Sequence, residues 1–107
     1  MGTLPEPPYY AVIFTSKRTD NDEAYARTAE DMEKLAAEQP GYLGMEHAGS
    51  HKEAITISYW RDEESILNWK NVAAHKTAQQ SGRDIWYENY ITRVCRVERQ
   101  YDFGFEK

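Results

Sequence analysis

The 107-residue chain is poor in cysteine and has no long apolar run. The single cysteine, Cys95, excludes an intramolecular disulfide, and its place between Val94 and Arg96 in a predicted strand favours a buried structural thiol. Because the chain has neither an apolar leader nor a stretch of about 18 apolar residues, we expect no membrane span and a cytoplasmic protein.

Positive charge is also scarce, since 13 Lys and Arg residues face 18 Asp and Glu residues. Nonspecific nucleic-acid binding needs a basic surface, so nucleic acid is not an expected partner. Glycine-rich phosphate loops and the GxSxG and CxxC motifs are missing as well, so the sequence predicts no nucleotide cofactor. Glu46, His47 and His51 resemble a metal set, but a predicted hairpin gives them no fixed shared face, and we predict no metal.

Proline is concentrated at the N-terminus, where residues 1–8 hold three of the four prolines. This segment is predicted to be a flexible lead-in. The length supports one domain, which we place at residues 9–101, and residues 102–107 are expected to form a C-terminal tail.

Hydrophobic patterns over this domain predict the element order β-α-β-β-α-β. The second helix is followed by a less regular helical stretch to about residue 89. Asp20 or Asn21, with Glu23, is predicted to cap the first helix. The predicted strands cover residues 9–16, 42–48, 54–60 and 90–101, and the helices begin near residues 20 and 62.

This order is typical of the ferredoxin-like split β-α-β fold of the α+β class, an antiparallel sheet with two helices on one face. The first strand, Tyr9 to Ser16, is apolar on both sides. Its second side therefore needs cover that the helices do not provide. We expect a homodimer in which two sheets pack against each other.

Polar residues recur at helical spacing in the second helix, at Asn68, Asn71, His75 and Gln79. The stripe is either a solvated face or the polar wall of a cavity, in which His75 exchanges a proton near neutral pH. Trp69 lies six residues before His75, so the two side chains face one pocket only if the helix breaks between residues 71 and 73.

Aromatic and basic residues supply the other candidates. Trp69 is either a core residue or the wall that a flat ligand stacks on. Trp86 and Tyr90 would share an aromatic face if residues 83–89 were helical. Arg93 and Arg96 are predicted on opposite faces of the last strand, where an inward Arg93 would hold an anionic oxygen; the alternative is a charged strand edge.

The run SYW-x5-I-x2-WK-x4-H-x3-Q-x2-GR-x2-WY-x2-Y-x2-RV-x-RVER-x-Y resembles the antibiotic biosynthesis monooxygenase (ABM) domain family, as does GYLGMEHA. The resemblance covers about residues 9–101. It implies a dimeric α+β barrel with a pocket between sheet and helices. Characterised members include cofactor-free oxygenases of polycyclic aromatics and haem-degrading enzymes. By similarity, Trp69 occupies the place of the pocket tryptophan and His75 that of the residue following it on a broken helix.

The resemblance predicts a cofactor-independent monooxygenase that acts on an aromatic or quinol-like molecule with dioxygen. Trp69 would be the ring wall, His75 the proton acceptor and Asn71 an orienting group. The predicted substrate-binding residues are Asn68, Arg93, Trp86 and Tyr90. One alternative is a non-catalytic dimeric protein that binds a small molecule. Haem binding or degradation is less favoured, because haem-degrading relatives carry an asparagine on the first strand, where residues 11–14 are apolar here.

Overall fold

The central strand of the sheet is rich in aromatic and β-branched residues, which favour extended backbone. The computed structural model describes residues 4–22, 24–80 and 86–105, without the side chains of residues 76–80. The element order confirms the predicted β-α-β-β-α-β pattern. The elements are β1 Tyr9–Arg18, α1 Tyr25–Ala37, β2 Tyr42–Gly49, β3 Glu53–Trp60, α2 Glu63–Gln80 and β4 Tyr87–Val97.

The four strands form one antiparallel sheet in the order β2-β3-β1-β4. The β2–β3 hairpin lies on one side of β1, and β4 pairs with the other side of β1. This is the predicted ferredoxin-like arrangement, with the most apolar strand flanked on both sides. Neither helix in the described part of the chain is long and apolar enough to cross a membrane.

The two faces of the sheet differ because successive side chains of a strand point to opposite sides. Trp60 of β3 pairs with Tyr10 of β1, and its indole stacks on Trp69 of α2. We call this side the helix-side face; on β1 it carries Tyr10, Val12, Phe14 and Ser16. The opposite side, which we call the open face, carries Ala11, Ile13 and Thr15 on β1.

The core is centred on Trp60, whose side chain is fully buried. Its Nε1 donates a hydrogen bond to Ser58 Oγ at 2.8 Å, and the Tyr42 ring meets it edge-on at 5.6 Å between centroids. A buried indole needs a partner for its N–H, and the neighbouring serine on the same face provides one. Together with the Trp60–Trp69 stack, these contacts hold the start of β2, the end of β3 and α2 together.

The start of α1 differs from the predicted capping box. The helix begins at Tyr25, after Ala24 in the left-handed conformation (φ 60°), which has no side-chain cap. Asp20 forms an ion pair with Lys52 of the β2–β3 loop instead. The predicted cap was therefore wrong, because the carboxylate is engaged by a distant lysine. Glu23 lies outside the described residues.

Helix α2 begins with a side-chain cap. Asp62 Oδ1 accepts hydrogen bonds from the Ser65 backbone N–H at 2.8 Å and from Ser65 Oγ at 2.7 Å, and these bonds lower the pKa of the Asp62 carboxyl. Gly41 lies directly beside this turn with φ +86°, and a Cβ there would be 2.0 Å from Ser65 Oγ. The entry to β2 and the first turn of α2 therefore pack without room for a side chain.

The last strand is shifted from its predicted place. β4 runs from Tyr87 to Val97, so residues 87–89 are extended rather than helical. Cys95 is exposed, contrary to the predicted buried thiol, because it pairs with Ala11 and so lies on the open face.

Two hydrogen bonds join the beginning and the end of the domain. Gln100 Nε2 donates to the Pro5 carbonyl at 2.7 Å, and Tyr9 Oη donates to Gln100 Oε1 at 2.5 Å. Tyr9 is buried, and burial raises the pKa of its phenol. Segments 91 to 95 residues apart along the chain are thereby held together at one corner of the sheet.

Candidate functional site

The helix-side face carries a stack of two indoles. The Trp60 and Trp69 rings lie 6.0 Å apart at an interplanar angle of 22°. Trp60 is fully buried, whereas Trp69 is half-buried. Trp60 therefore packs beneath the second helix, and the partly accessible indole of Trp69 lies above the sheet.

The helix-side face of β4 stays uncovered although the helices lie on that side of the sheet. We call the side chains on this face of β4 the β4 strip. Tyr90 keeps 40% of its surface exposed and Val94 keeps 51%. The β1 residues opposite the strip are aromatic, apolar or small. The strip is Tyr90, Thr92, Val94 and Arg96, which pair with Ser16, Phe14, Val12 and Tyr10.

Arg96 shares a row of the sheet with the indole stack. Trp60 pairs with Tyr10, and Tyr10 pairs with Arg96, so the tryptophan and the arginine are two strand spacings apart, roughly 10 Å. The Arg96 guanidinium is 4.0 Å from the Glu98 carboxylate, the outer limit of an ion pair. The indole stack and a cation therefore lie in one row of the helix-side face, an arrangement that suits a flat, anionic ligand.

Arg93 has the opposite orientation. It pairs with Ile13, so its side chain belongs to the open face, away from Trp69 and Tyr90. The predicted opposition of Arg93 and Arg96 is confirmed, but the arginine on the helix side is Arg96. The spacing contained this signal: Arg96 is six residues after Tyr90 and shares its face, whereas Arg93 is three residues after it.

The polar stripe of α2 faces outward. Asn68, Asn71 and His75 are exposed, and the helix continues without a break through residues 71–73. Trp69 contacts the sheet, so it does not share a pocket with this stripe in the described structure. The catalytic and binding roles assigned to these three side chains stay predictions. The side chain of Gln79 lies outside the described residues.

A second aromatic cluster forms where β1 ends and β4 begins. Trp86 is buried, whereas Tyr90 is exposed. The shared aromatic face predicted for them does not form, because residues 87–89 belong to a strand rather than to a helix. Other aromatic rings connect the two side chains. Phe14 lies 5.1 Å from Tyr90 between centroids. The remaining contacts are Tyr25–Trp86 at 5.6 Å, Tyr25–Tyr87 at 6.0 Å, Phe14–Tyr87 at 5.6 Å and Tyr87–Tyr90 at 5.5 Å.

Arg18 holds this cluster together, although no sequence pattern pointed to it. Its side chain is buried, and its guanidinium carbon lies 3.3 Å from the centroid of the Tyr25 ring. The guanidinium donates to the carbonyls of Trp86 at 3.3 Å and Asn21 at 3.0 Å, and it pairs with the Asp22 carboxylate at 3.0 Å. Asn21 and Asp22 are close to Arg18 along the chain, but Trp86 is 68 residues away, so a local pattern does not reveal the complete set of partners.

Burial also raises the pKa of the Tyr87 phenol, and its hydrogen bond to the Tyr25 hydroxyl at 3.4 Å acts in the same direction. Tyr87 is thus held in its neutral form at the edge of the candidate site.

The three residues that resembled a metal set are separated. His47 Nδ1 is 2.9 Å from Thr56 Oγ1, His51 pairs with Asp22 at 3.3 Å, and Glu46 accepts a hydrogen bond from Tyr59. In the part of the chain that the structure describes, no three His, Cys, Asp or Glu side chains gather as a metal-binding group.

The model of the antibiotic biosynthesis monooxygenase family, ABM, matches residues 8–81, and the chain belongs to this family. The resemblance found in the sequence is thereby confirmed. One relative, the uncharacterized protein YqjZ of Bacillus subtilis (strain 168), is 50% identical over 104 residues, which are 94% of this chain and 89% of YqjZ. Jasmonate monooxygenase ABM of Pyricularia oryzae is 44% identical over 43 residues, 40% of this chain and 20% of that protein.

Solved structures with the same fold include SnoaB of Streptomyces nogalater, a cofactor-independent oxygenase, in a mutant form. It matches with a TM-score of 0.69 at 10% identity, over 88% of this chain and 97% of SnoaB. PA3566 of Pseudomonas aeruginosa matches with a TM-score of 0.67 at 16% identity, over 89% of this chain and 97% of PA3566. At these identities the likeness concerns the fold alone.

Proposed function

We propose that the protein is a cofactor-independent monooxygenase acting on an aromatic or quinol-like small molecule. The observation that carries this proposal is the shared row of the indole stack and Arg96 on the helix-side face. Membership of the ABM family supports the reaction class. The site would hold a flat ring against Trp69 and the apolar part of the β4 strip, with an anionic oxygen at Arg96.

In the proposed reaction the deprotonated substrate itself reduces dioxygen. One oxygen atom enters the substrate and the other leaves as water, and the substrate supplies all four electrons. Arg96 stabilises the phenolate-like anion, because a guanidinium pairs strongly with an anionic oxygen. Val94 and the tryptophans exclude water around the ring, which strengthens that interaction.

His75 is the proposed proton acceptor, with Asn71 and Asn68 as orienting groups. These side chains lie on the exposed stripe of α2, and their proposed roles rest on the family resemblance. Trp86 and Tyr90 would form its far aromatic end, while Arg93, on the open face, contacts no ligand in this arrangement. In His75→Ala, turnover should fall while ligand affinity and folding are retained.

The main experiment compares Arg96→Gln with Arg99→Gln, which removes an equal charge beyond the end of β4. A panel of hydroxylated polycyclic aromatics serves as the probe. Binding is followed by tryptophan fluorescence and turnover by an oxygen electrode. We expect Arg96→Gln to weaken binding about tenfold or more, and Arg99→Gln to match the wild type. Wild-type behaviour of Arg96→Gln, or no oxygen uptake with any probe, would contradict the proposal.

A second candidate function is a non-catalytic small-molecule-binding protein. The observation that favours it is the outward orientation of His75 and the two asparagines of α2. Such a protein would bind the aromatic probes without consuming oxygen. Both functions predict that affinity is kept in His75→Ala and lost in Trp69→Ala, so oxygen uptake with the bound probes is the measurement that separates them.

We further propose that the protein is a homodimer formed through the open face. Ile55 and Ile91 are 44% and 46% exposed there, on either side of Thr15. Ile13 and Ile57 form the next row and are half-buried. A second sheet packed on this face would remove these side chains from water. Light scattering at micromolar concentration tests the subunit count.

A further inference from the structure

The open face carries opposite charges at its two edges. Glu46 pairs with Ile57, Ile57 with Ile13, and Ile13 with Arg93, so these four residues form one row across all four strands. The carboxylate is on edge strand β2, the guanidinium is on edge strand β4, and two isoleucines separate them.

We propose that Glu46 of each copy pairs with Arg93 of the partner subunit, and that this pair fixes the symmetry axis parallel to the strands. The inference rests on the homodimer proposed above. A two-fold axis parallel to the strands places β2 of one copy over β4 of the other, so opposite charges meet twice. An axis across the strands places β4 over β4 and β2 over β2, so that like charges face each other.

Side-chain size supports the same axis independently of charge. The neighbouring row reads Ala48, Ile55, Thr15 and Ile91 from β2 to β4. With the axis along the strands, Ile91 meets Ala48 of the partner subunit and Ile55 meets Thr15 of the partner subunit. In this row large side chains then oppose small ones, which suits close packing between sheets about 10 Å apart.

The carboxylate is held in place within each chain. Tyr59 Oη donates a hydrogen bond to Glu46 Oε1 at 2.5 Å, and the Tyr9 ring packs edge-on against Tyr59 with the centroids 5.7 Å apart. Burial, followed by this hydrogen bond, raises the pKa of the Tyr59 phenol, so the hydroxyl remains a donor. An ordered carboxylate loses less conformational entropy when a partner binds.

The first test is charge reversal, read as the dimer dissociation constant by light scattering over a dilution series. Arg93→Glu and Glu46→Arg should each raise the dissociation constant about tenfold or more. The double variant Glu46→Arg/Arg93→Glu should return it to within about threefold of the wild type, since the pair is restored with its signs exchanged. Arg96→Glu, on the same strand but the opposite face, is the matched control and should leave it unchanged.

The second test distinguishes the two axes. All chains carry Cys95→Ser, and Glu46→Cys chains are co-expressed with Arg93→Cys chains and treated with a short bifunctional thiol reagent. The proposed axis predicts cross-linked dimers from the co-expressed mixture and little product from either variant alone. Each chain then carries a single cysteine, so every cross-linked product joins two chains.

Each outcome has a separate meaning. A monomeric wild type overturns the proposed dimer. A dimeric wild type that tolerates Arg93→Glu overturns the pair, as does a folded double variant that remains as dissociated as the single variants. Cross-linking of Arg93→Cys chains alone would assign the other axis. Circular dichroism of every variant identifies losses caused by misfolding, and Arg93→Gln with Glu46→Gln then repeats the test without introducing a new charge.

Discussion

The two faces of the sheet present different chemistry and differ in how far one chain covers them. On the helix-side face, Trp60 is fully buried beneath Trp69, whereas Ile55 and Ile91 on the open face keep almost half of their surface exposed. The strand β1 serves both faces with equally apolar residues. The comparison teaches that the helices of one chain cover part of one face and leave the isoleucines of the other face exposed.

The helix-side face is itself uneven. Its β2–β3 half is closed by the tryptophan stack, but its β4 half is exposed at Tyr90 and Val94. Aromatic rings and Arg96 border this uncovered part. We infer that the helices leave room for a ligand there, while the open face is aliphatic and suited to another protein surface.

Removing the centre of the closed half should produce the largest effect. Trp60→Ala deletes a fully buried indole that contacts Trp69 and Tyr42. We expect the free energy of unfolding to fall by about 3–5 kcal/mol, measured by urea denaturation. Ile55→Ala on the open face is the comparison, and it should cost much less at concentrations where the chain is monomeric. Equal losses at both positions would erase the difference between the faces.

Gly41 tests the close approach of β2 and α2. Gly41→Ala combines a positive φ with a Cβ 2.0 Å from Ser65 Oγ, and we expect a loss of about 2–3 kcal/mol in the free energy of unfolding. Gly104→Ala has nearly the same φ, +87°, but nothing within 4 Å of the added Cβ, so it should cost below about 1 kcal/mol. If the two variants unfold alike, the contact with Ser65 is not tight.

Cys95 reports on cover over the open face. At protein concentrations well above the dimer dissociation constant, its exposed thiol should react with an aromatic disulfide reagent about tenfold more slowly than in dissociated Arg93→Glu. The measurement is the labelling rate as a function of protein concentration. A rate that is independent of concentration would place Cys95 outside any interface.

Tyr87 should give the smallest effect, visible only at high pH. Burial raises the pKa of its phenol in the folded state, so above about pH 10 the unfolded chain loses this proton first. The stabilisation is fully present below that pH and is lost as the pH rises towards the folded pKa. Tyr87→Phe should therefore show a shallower decline of stability between pH 10 and pH 11 than the wild type. Tyr101→Phe controls for the loss of one tyrosine.

The sequence predicted the element order and the opposite orientation of Arg93 and Arg96, because both follow from local periodicity. The limits of β4 were missed, because they depend on its partner. Val97 pairs with Tyr9, the first residue of β1, so the strand has nothing to pair with further along the chain. The prediction that Cys95 is buried was wrong for a related reason, because a strand pattern does not show which face of the sheet is covered.

The candidate site was predicted in part. The sequence identified Trp69 and Tyr90 as aromatic residues worth attention, and alternation along the strand separated Arg93 from Arg96. It did not identify Arg18, since that role depends on Tyr25 and Trp86, which meet it only in the folded chain. Side chains that recur on one element were found by spacing, whereas a site assembled from several elements was not.

The hydrogen bonds from Gln100 to Pro5 and Tyr9 have a practical consequence. They bring the beginning and the end of the domain to the same corner of the sheet, so a short peptide would be enough to join them. New termini placed in the exposed loop at residues 50–52 would then give a circular permutant that keeps the same order of strands within the sheet. In that molecule β3 would come first in the chain and β2 last, and hairpin formation could be studied separately from the rest of folding.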